Sequence, residues 1–143
     1  MGACYNSTVV DASLEDVWEV IRDFHDLEWA EGVVKDIEVV GEASGDQVGA
    51  QRILNGVFHE TLLGMSEIDM SIQYSIDDGP GPLAEDDVDN YIGSIQLSPV
   101  TDTDCTFVEW SCNYESADDE AVGEFCNPIY QALLGALKKH FED

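Results

Sequence analysis

The sequence predicts an α+β domain, and three observations carry that reading. A strand-like segment and an amphipathic helical segment open the chain, runs with a period of two follow between about residues 36 and 115, and a long apolar stripe at helical spacing closes it. At 143 residues the chain suits one domain, spanning 1–143, that buries roughly 68–70% of its extended surface. Hydrophobic residues at 44% and aromatic residues at 9% supply the core such a domain needs.

Residues 3–10 read as a strand ending at Asp11. Ser13 then offers an N-cap with Asp16 three residues on, and Leu14, Val17, Trp18, Ile21 and Phe24 recur at helical spacing. A second short helical piece carries Leu27 and Trp29 and ends near Gly32. Alternating runs follow at about 36–42, 48–54, 58–64, 70–77, 88–98 and 105–115, separated by turn chemistry such as Ser44-Gly45-Asp46-Gln47, Asn55-Gly56 and Gly79-Pro80-Gly81-Pro82. Short connections between consecutive strands predict an antiparallel meander. In the closing helix Ser116 is the expected cap, Asp118, Asp119 and Glu120 suit the positive end, and Lys138, Lys139 and His140 suit the negative end. Val122, Phe125, Ile129, Leu133, Leu137 and Phe141 give it one stripe, while Pro128 predicts a kink or a later start. A curved sheet must cover its apolar face with this helix.

Thirty-one Asp and Glu against five Lys and Arg leave a net charge of -26. Phosphate backbones and anionic membrane surfaces both select for clustered Lys and Arg, so nucleic acid and membrane are excluded as partners. The acids are spread along the chain, which reads as a solvated surface whose self-repulsion concentrated salt screens, the composition of a protein from a salt-rich setting. The first ten residues have neither the basic nor the apolar region of a targeting segment, so a cytoplasmic protein is expected. Cys4, Cys105, Cys112 and Cys126 form no CxxC pair and stand off metal spacing from the three His residues, so buried free thiols are expected, with no metal site. No phosphate loop or Ser/His/Asp grouping appears, and no cofactor is implied.

Side chains alternate across a sheet, so apolar parity marks the face toward the long helix. Val48, Ala50 and Leu54 share theirs with Arg52; Phe58 and Leu62 with Glu60; Met70, Ile72 and Ile76 with Tyr74; Gly93, Ile95 and Leu97 with Tyr91; and Val108, Cys112 and Tyr114 with Trp110, leaving Glu109 outward. Each polar group alone has an ordinary structural explanation, a strand end, a paired ion or a satisfied hydroxyl. Together they are an inward polar set on an apolar face, the usual form of a small-molecule pocket. Burying an unpaired charge costs several kcal/mol, so Arg52 and Glu60 are expected to pair with each other, with the phenols or with water.

These residues also carry a resemblance. Val17-Trp18 through Asp23-Phe24, Gly49 to Arg52, the Glu60 strand, Tyr74-Ser75-Ile76 before a Gly/Pro loop, Tyr91 and Glu109-Trp110-Ser111 resemble the START-like superfamily, SRPBCC, which includes birch-pollen-allergen-type and polyketide cyclase/dehydratase-like proteins. The resemblance covers almost the whole chain and implies a helix-grip fold, a seven-stranded antiparallel sheet wrapped around a C-terminal helix with an apolar cavity between them. Within it the chain is similar to plant lachrymatory-factor synthases, whose Arg, Glu and two Tyr fall on Arg52, Glu60, Tyr74 and Tyr91. In that family the carboxyl group is thought to shuttle a proton while Arg and Tyr hold an oxygen. This chain departs in its acidity and in the long loop from Gly79 to Asp89.

Two functions follow as expectations. One is a binding or carrier protein for a lipid or other small apolar molecule, with Trp29, Phe58, Leu62, Trp110, Phe125, Ile129 and Leu133 as walls, Arg52 and Glu60 orienting a polar head, and the Gly79–Pro82 loop as a flap. The other is a lyase, isomerase or cyclase/dehydratase in which Glu60 is the proton shuttle and Tyr74 or Tyr91 donates to a developing oxyanion. A third reading makes the acidic surface itself the function, as salt adaptation. The residues name no protein partner.

Overall fold

The first helix begins as the sequence predicts. Ser13 Oγ accepts from the Asp16 amide at 3.3 Å, and α1 (Leu14–Ile21) buries Val17, Trp18 and Ile21. The computed structural model describes residues 2–30 and 32–142. Around α1 the chain forms β1 (Gly2–Val10), a 3-10 turn at Glu28–Ala30, β2 (Ile37–Val40), β3 (Gln51–Leu54), β4 (Phe58–Ser66), β5 (Ser71–Asp78), a second 3-10 turn at Gly81–Leu83, β6 (Val88–Val100), β7 (Cys105–Ser116) and α2 (Asp119–His140). The seven strands make one antiparallel sheet in the order β1-β7-β6-β5-β4-β3-β2, a meander onto whose last strand β1 is added.

α2 lies against β1 and β7 and buries Val122, Cys126, Tyr130, Leu133, Leu134 and Leu137 over the inner face of the sheet. That face carries the alternate residues the parity predicts: Ala50, Arg52 and Leu54 of β3 and its lead-in, Glu60 and Leu62 of β4, Ile72, Tyr74 and Ile76 of β5, Tyr91, Ile95 and Leu97 of β6, and Val108, Trp110, Cys112 and Tyr114 of β7. Each large apolar side chain so buried contributes about 1.5–3 kcal/mol relative to exposure.

Three expectations are corrected. Val48 is 67% exposed instead of inward, because β3 starts only at Gln51 and Gly49, at φ +96, breaks the alternation before it. The cap of α2 is Asp118, whose Oδ1 accepts from Ala121 N; Ser116 Oγ instead accepts from Asp118 N. The helix starts later than Ser116, as the expectation from Pro128 allowed, with Pro128 inside it. Its buried stripe passes through Cys126 and Tyr130, one position round from the predicted Phe125 and Ile129, which are only half-buried.

Candidate functional site

A cavity of about 60 Å³ lies between the inner face of the sheet and α2. Its walls are mostly apolar, from Leu27, Val33 and Val34 before β2, Phe58 and Ile76 on the strands, Leu83 in the second 3-10 turn, and Ile129 and Leu133 on α2. Polar groups enter from two sides.

On one side Arg52 and Glu60 stand directly opposite each other on β3 and β4. They are 6% and 5% exposed; Arg52 Nε donates to Glu60 Oε1 at 2.8 Å, and Nη2 lies 2.6 Å from the same oxygen in an ion pair. Arg52 Nη1 donates to the Phe24 carbonyl at 2.8 Å, and the guanidinium lies 3.7 Å from the centroid of the Phe24 ring. The loop after α1 thus holds the cation in place. Glu60 Oε2 has no hydrogen bond among the described residues. Burial pushes the Glu60 carboxyl above the ordinary carboxylate range, the Arg52 charge and hydrogen bonds pull it back, and Asp77 adds a smaller upward push.

On the other side three phenols meet. Trp110 Nε1 donates to Tyr74 Oη at 2.8 Å, Tyr74 Oη lies 3.4 Å from Tyr130 Oη, Tyr130 and Tyr91 hydrogen-bond through their hydroxyls, and Tyr91 donates to Cys126 Sγ at 3.5 Å. Each phenol has one proton, so these contacts run one way: Trp110 to Tyr74, Tyr74 to Tyr130, Tyr130 to Tyr91, Tyr91 to the thiol. Burial first, then the neighbouring acidic groups, raises all three phenols above their ordinary value. Burial also pushes the Cys126 thiol up to about 11. They are neutral donors at pH 7. Tyr74 reaches this position because Gly93 lies opposite it on β6, where an added Cβ would come within 2.3 Å of the Tyr74 ring.

The structure therefore brings together Arg52, Glu60, Tyr74, Tyr91, Phe58, Trp110, Ile129 and Leu133 around one cavity. Three predicted wall residues lie elsewhere. Leu62 is fully buried but packs farther along β4, opposite Tyr74. Phe125 sits beside the second 3-10 turn, its ring 3.8 Å from where a Gly81 Cβ would be. Trp29 walls a separate, smaller chamber. None of Gly79, Pro80, Gly81 and Pro82 lines the cavity; Leu83, the residue after that loop, does and is buried. Sequence reasoning missed Tyr130, which links the phenols, and Cys126, which ends the chain of donors. Their spacing with Val122, Leu133 and Leu137 is helical, so a stripe drawn one residue round would have found both.

A buried ion pair with one free carboxylate oxygen, faced by neutral hydroxyls across an apolar space, can orient an oxygen-bearing guest and can exchange a proton with it. The fold and this site define a cavity-bearing, ligand-binding protein of the helix-grip kind. Over residues 1–142 the chain matches the family described as polyketide cyclase / dehydrase and lipid transport, and it belongs to that family, within the START-like and birch-pollen-allergen-like superfamily. It is similar to a structurally characterised protein of Nitrosospira multiformis, with 46% identity and a TM-score of 0.95 over 99% of this chain and 97% of that one. The XoxI protein of Bacillus cereus shares 25% identity at a TM-score of 0.79, over 99% and 96% of the two chains. The major latex-like protein 151 of Panax ginseng shares the fold, with 15% identity and a TM-score of 0.76 over 99% and 98%. No curated protein matches the sequence significantly. No helix among the described residues is long and apolar enough to cross a membrane.

Proposed function

We propose that the protein binds a compact, mostly apolar molecule in the cavity under α2, with its polar head between the Arg52–Glu60 pair and the Tyr74, Tyr130 and Tyr91 hydroxyls. The observation that carries this is the buried ion pair in a mostly apolar cavity wall, faced by the phenols. Such a pair gives little net stability over an apolar pair of the same volume, so stability alone does not account for it. Size narrows the guest. About 60 Å³ is less than half of the roughly 150 Å³ that admits a benzene ring, and far below the roughly 300 Å³ where drug-sized sites begin. A guest on the order of three or four non-hydrogen atoms fits without wall movement, which favours a small metabolite over a lipid.

One observation favours a second reading, a lyase, isomerase or cyclase/dehydratase working by proton transfer. Glu60 Oε2 has no hydrogen bond among the described residues, and burial raises the carboxyl above its ordinary value against the pull of Arg52. The similarity of Arg52, Glu60, Tyr74 and Tyr91 to the lachrymatory-factor synthase set supports it. An NMR incubation of wild type and Glu60→Gln with compact carbonyl, phenolic and sulfur compounds tests both. Saturable binding by both proteins without conversion supports the binding protein; conversion by wild type, slowed roughly 10²-fold or more in Glu60→Gln, replaces it with the enzyme. Absence of binding and conversion in wild type overturns both.

A further inference from the structure

The indole of Trp29 is a buried donor with nothing to donate to. The residue sits in the Glu28–Ala30 turn, 7% exposed, its ring tilted against Trp110 with centroids 6.4 Å apart. Its Nε1–H is buried and has no hydrogen-bond partner among the described residues, whereas the Trp110 indole is satisfied by Tyr74. Buried indole donors normally find an acceptor, because an unmade bond forfeits the solvation the group had in water.

Trp29 does not wall the main cavity. It walls a side chamber of about 20 Å³ that adjoins the main cavity, with Leu27, Arg52, Tyr74 and Trp110 lining both. The chamber's volume suits one oxygen-sized atom. Its polar side chains are almost wholly donors. The two indoles and the guanidinium have no acceptor, Arg52 uses two of its five N–H groups in hydrogen bonds to Glu60 and Phe24 and holds Nη2 in the ion pair with Glu60, and the Tyr74 oxygen, which already receives Trp110, keeps one acceptor site. Glu60, the nearby acceptor, walls only the main cavity. Among the lining side chains a hydroxyl placed there finds only the one remaining Tyr74 lone pair for its proton, while a carbonyl oxygen needs none.

We infer that the side chamber is an acceptor subsite: the guest of the main cavity is a carbonyl compound whose proton-free oxygen enters the chamber and takes a hydrogen bond from Trp29 Nε1–H beside the Arg52 guanidinium. This rests on the cavity binding a guest at all, and it names that guest's class. A carbonyl so held is polarised by a cation and a neutral donor while Glu60 faces the rest of the molecule.

The test compares acetone with its hydrocarbon isostere 2-methylpropene, titrated into the intact wild-type protein and Trp29→Phe, which keeps an aromatic ring but loses the N–H. Affinities come from NMR shifts, and the Trp29 indole proton is identified by its loss in the variant. The expected result is tighter binding of acetone than of the isostere by wild type, a shift of the Trp29 indole proton on acetone binding only, and a drop of about tenfold in acetone affinity in Trp29→Phe with the isostere unaffected. Equal binding of the two probes, or an equal effect of the substitution on both, overturns the subsite and leaves the cavity standing. An indole proton that keeps a cross-peak to water with acetone bound also overturns it, since the chamber then holds solvent. If neither probe binds wild type, the subsite falls together with the binding cavity. If Trp29→Phe does not fold, the wild-type indole shift and the acetone preference decide alone.

Discussion

Replacing Arg52 by Met keeps an apolar stem over Phe24 and removes the cation that pairs with Glu60. Two hydrogen bonds go with it, from Nε to Glu60 Oε1 and from Nη1 to the Phe24 carbonyl, together with the Nη2 ion pair to Glu60. The larger effect is on what stays behind, a carboxyl group 5% exposed with no counter-ion. Breaking a buried pair in this way costs about 3–5 kcal/mol, a large part of the roughly 5–15 kcal/mol that holds a domain of this kind folded. The cost depends on pH with a definite sign. Burial already raises the folded-state pKa of Glu60, and Arg52 is what pulls it down, so removing Arg52 raises it further. A carboxyl raised in the folded state binds its proton more tightly folded than unfolded. Its contribution therefore favours the fold below the ordinary carboxylate value and is lost as pH rises through the folded value. The deficit of Arg52→Met against wild type should be smallest below the ordinary carboxylate value and widen as pH rises above it. Urea unfolding of both proteins at each pH, in constant high salt, measures it, and the double variant Arg52→Met/Glu60→Leu should recover most of the loss. A deficit below about 1 kcal/mol at pH 7, or one independent of pH, refutes the reasoning.

Other substitutions probe the opposite wall. Gly93→Ala drives a methyl into the Tyr74 ring, costs about 1–3 kcal/mol, and should shift the Trp110 indole proton in NMR as its bond to Tyr74 breaks; an unmoved indole signal counts against the packing described. Tyr130→Phe cuts the link between Tyr74 and Tyr91, and urea unfolding should show a loss of about 1–3 kcal/mol; a neutral effect would mean the hydroxyls are not coupled. With a net charge of -26, raising NaCl from about 0.1 to 1 M shortens the Debye length from roughly 10 to 3 Å and should raise the urea midpoint; an unchanged midpoint would remove self-repulsion from the account.

Period-two patterning made most of this architecture readable, because one face of every strand is buried and a slip of one residue would invert it. Arg52, Glu60, Tyr74 and Tyr91 stood out for the same reason, as polar groups on apolar parity, and all four wall the cavity. Val48 misled because parity holds only while the backbone stays extended, and Gly49 ends it. On α2 the signal was weaker. Two neighbouring lines of apolar residues compete there, and Tyr130 and Cys126 belong to the line that the polar hydroxyl made less conspicuous. The separation of Trp29 from the main cavity depends on how the segment after α1 folds over Arg52, which local pattern does not encode.

The most direct measurement is a crystal structure of the protein with the tightest-binding compact guest from the NMR panel. The account predicts the guest in the cavity under α2, its polar head within hydrogen-bond distance of Arg52, Glu60 or the Tyr74–Tyr130–Tyr91 hydroxyls. A guest bound only at the surface, with the cavity walls unmoved and nothing between Glu60 and Tyr130, would contradict it.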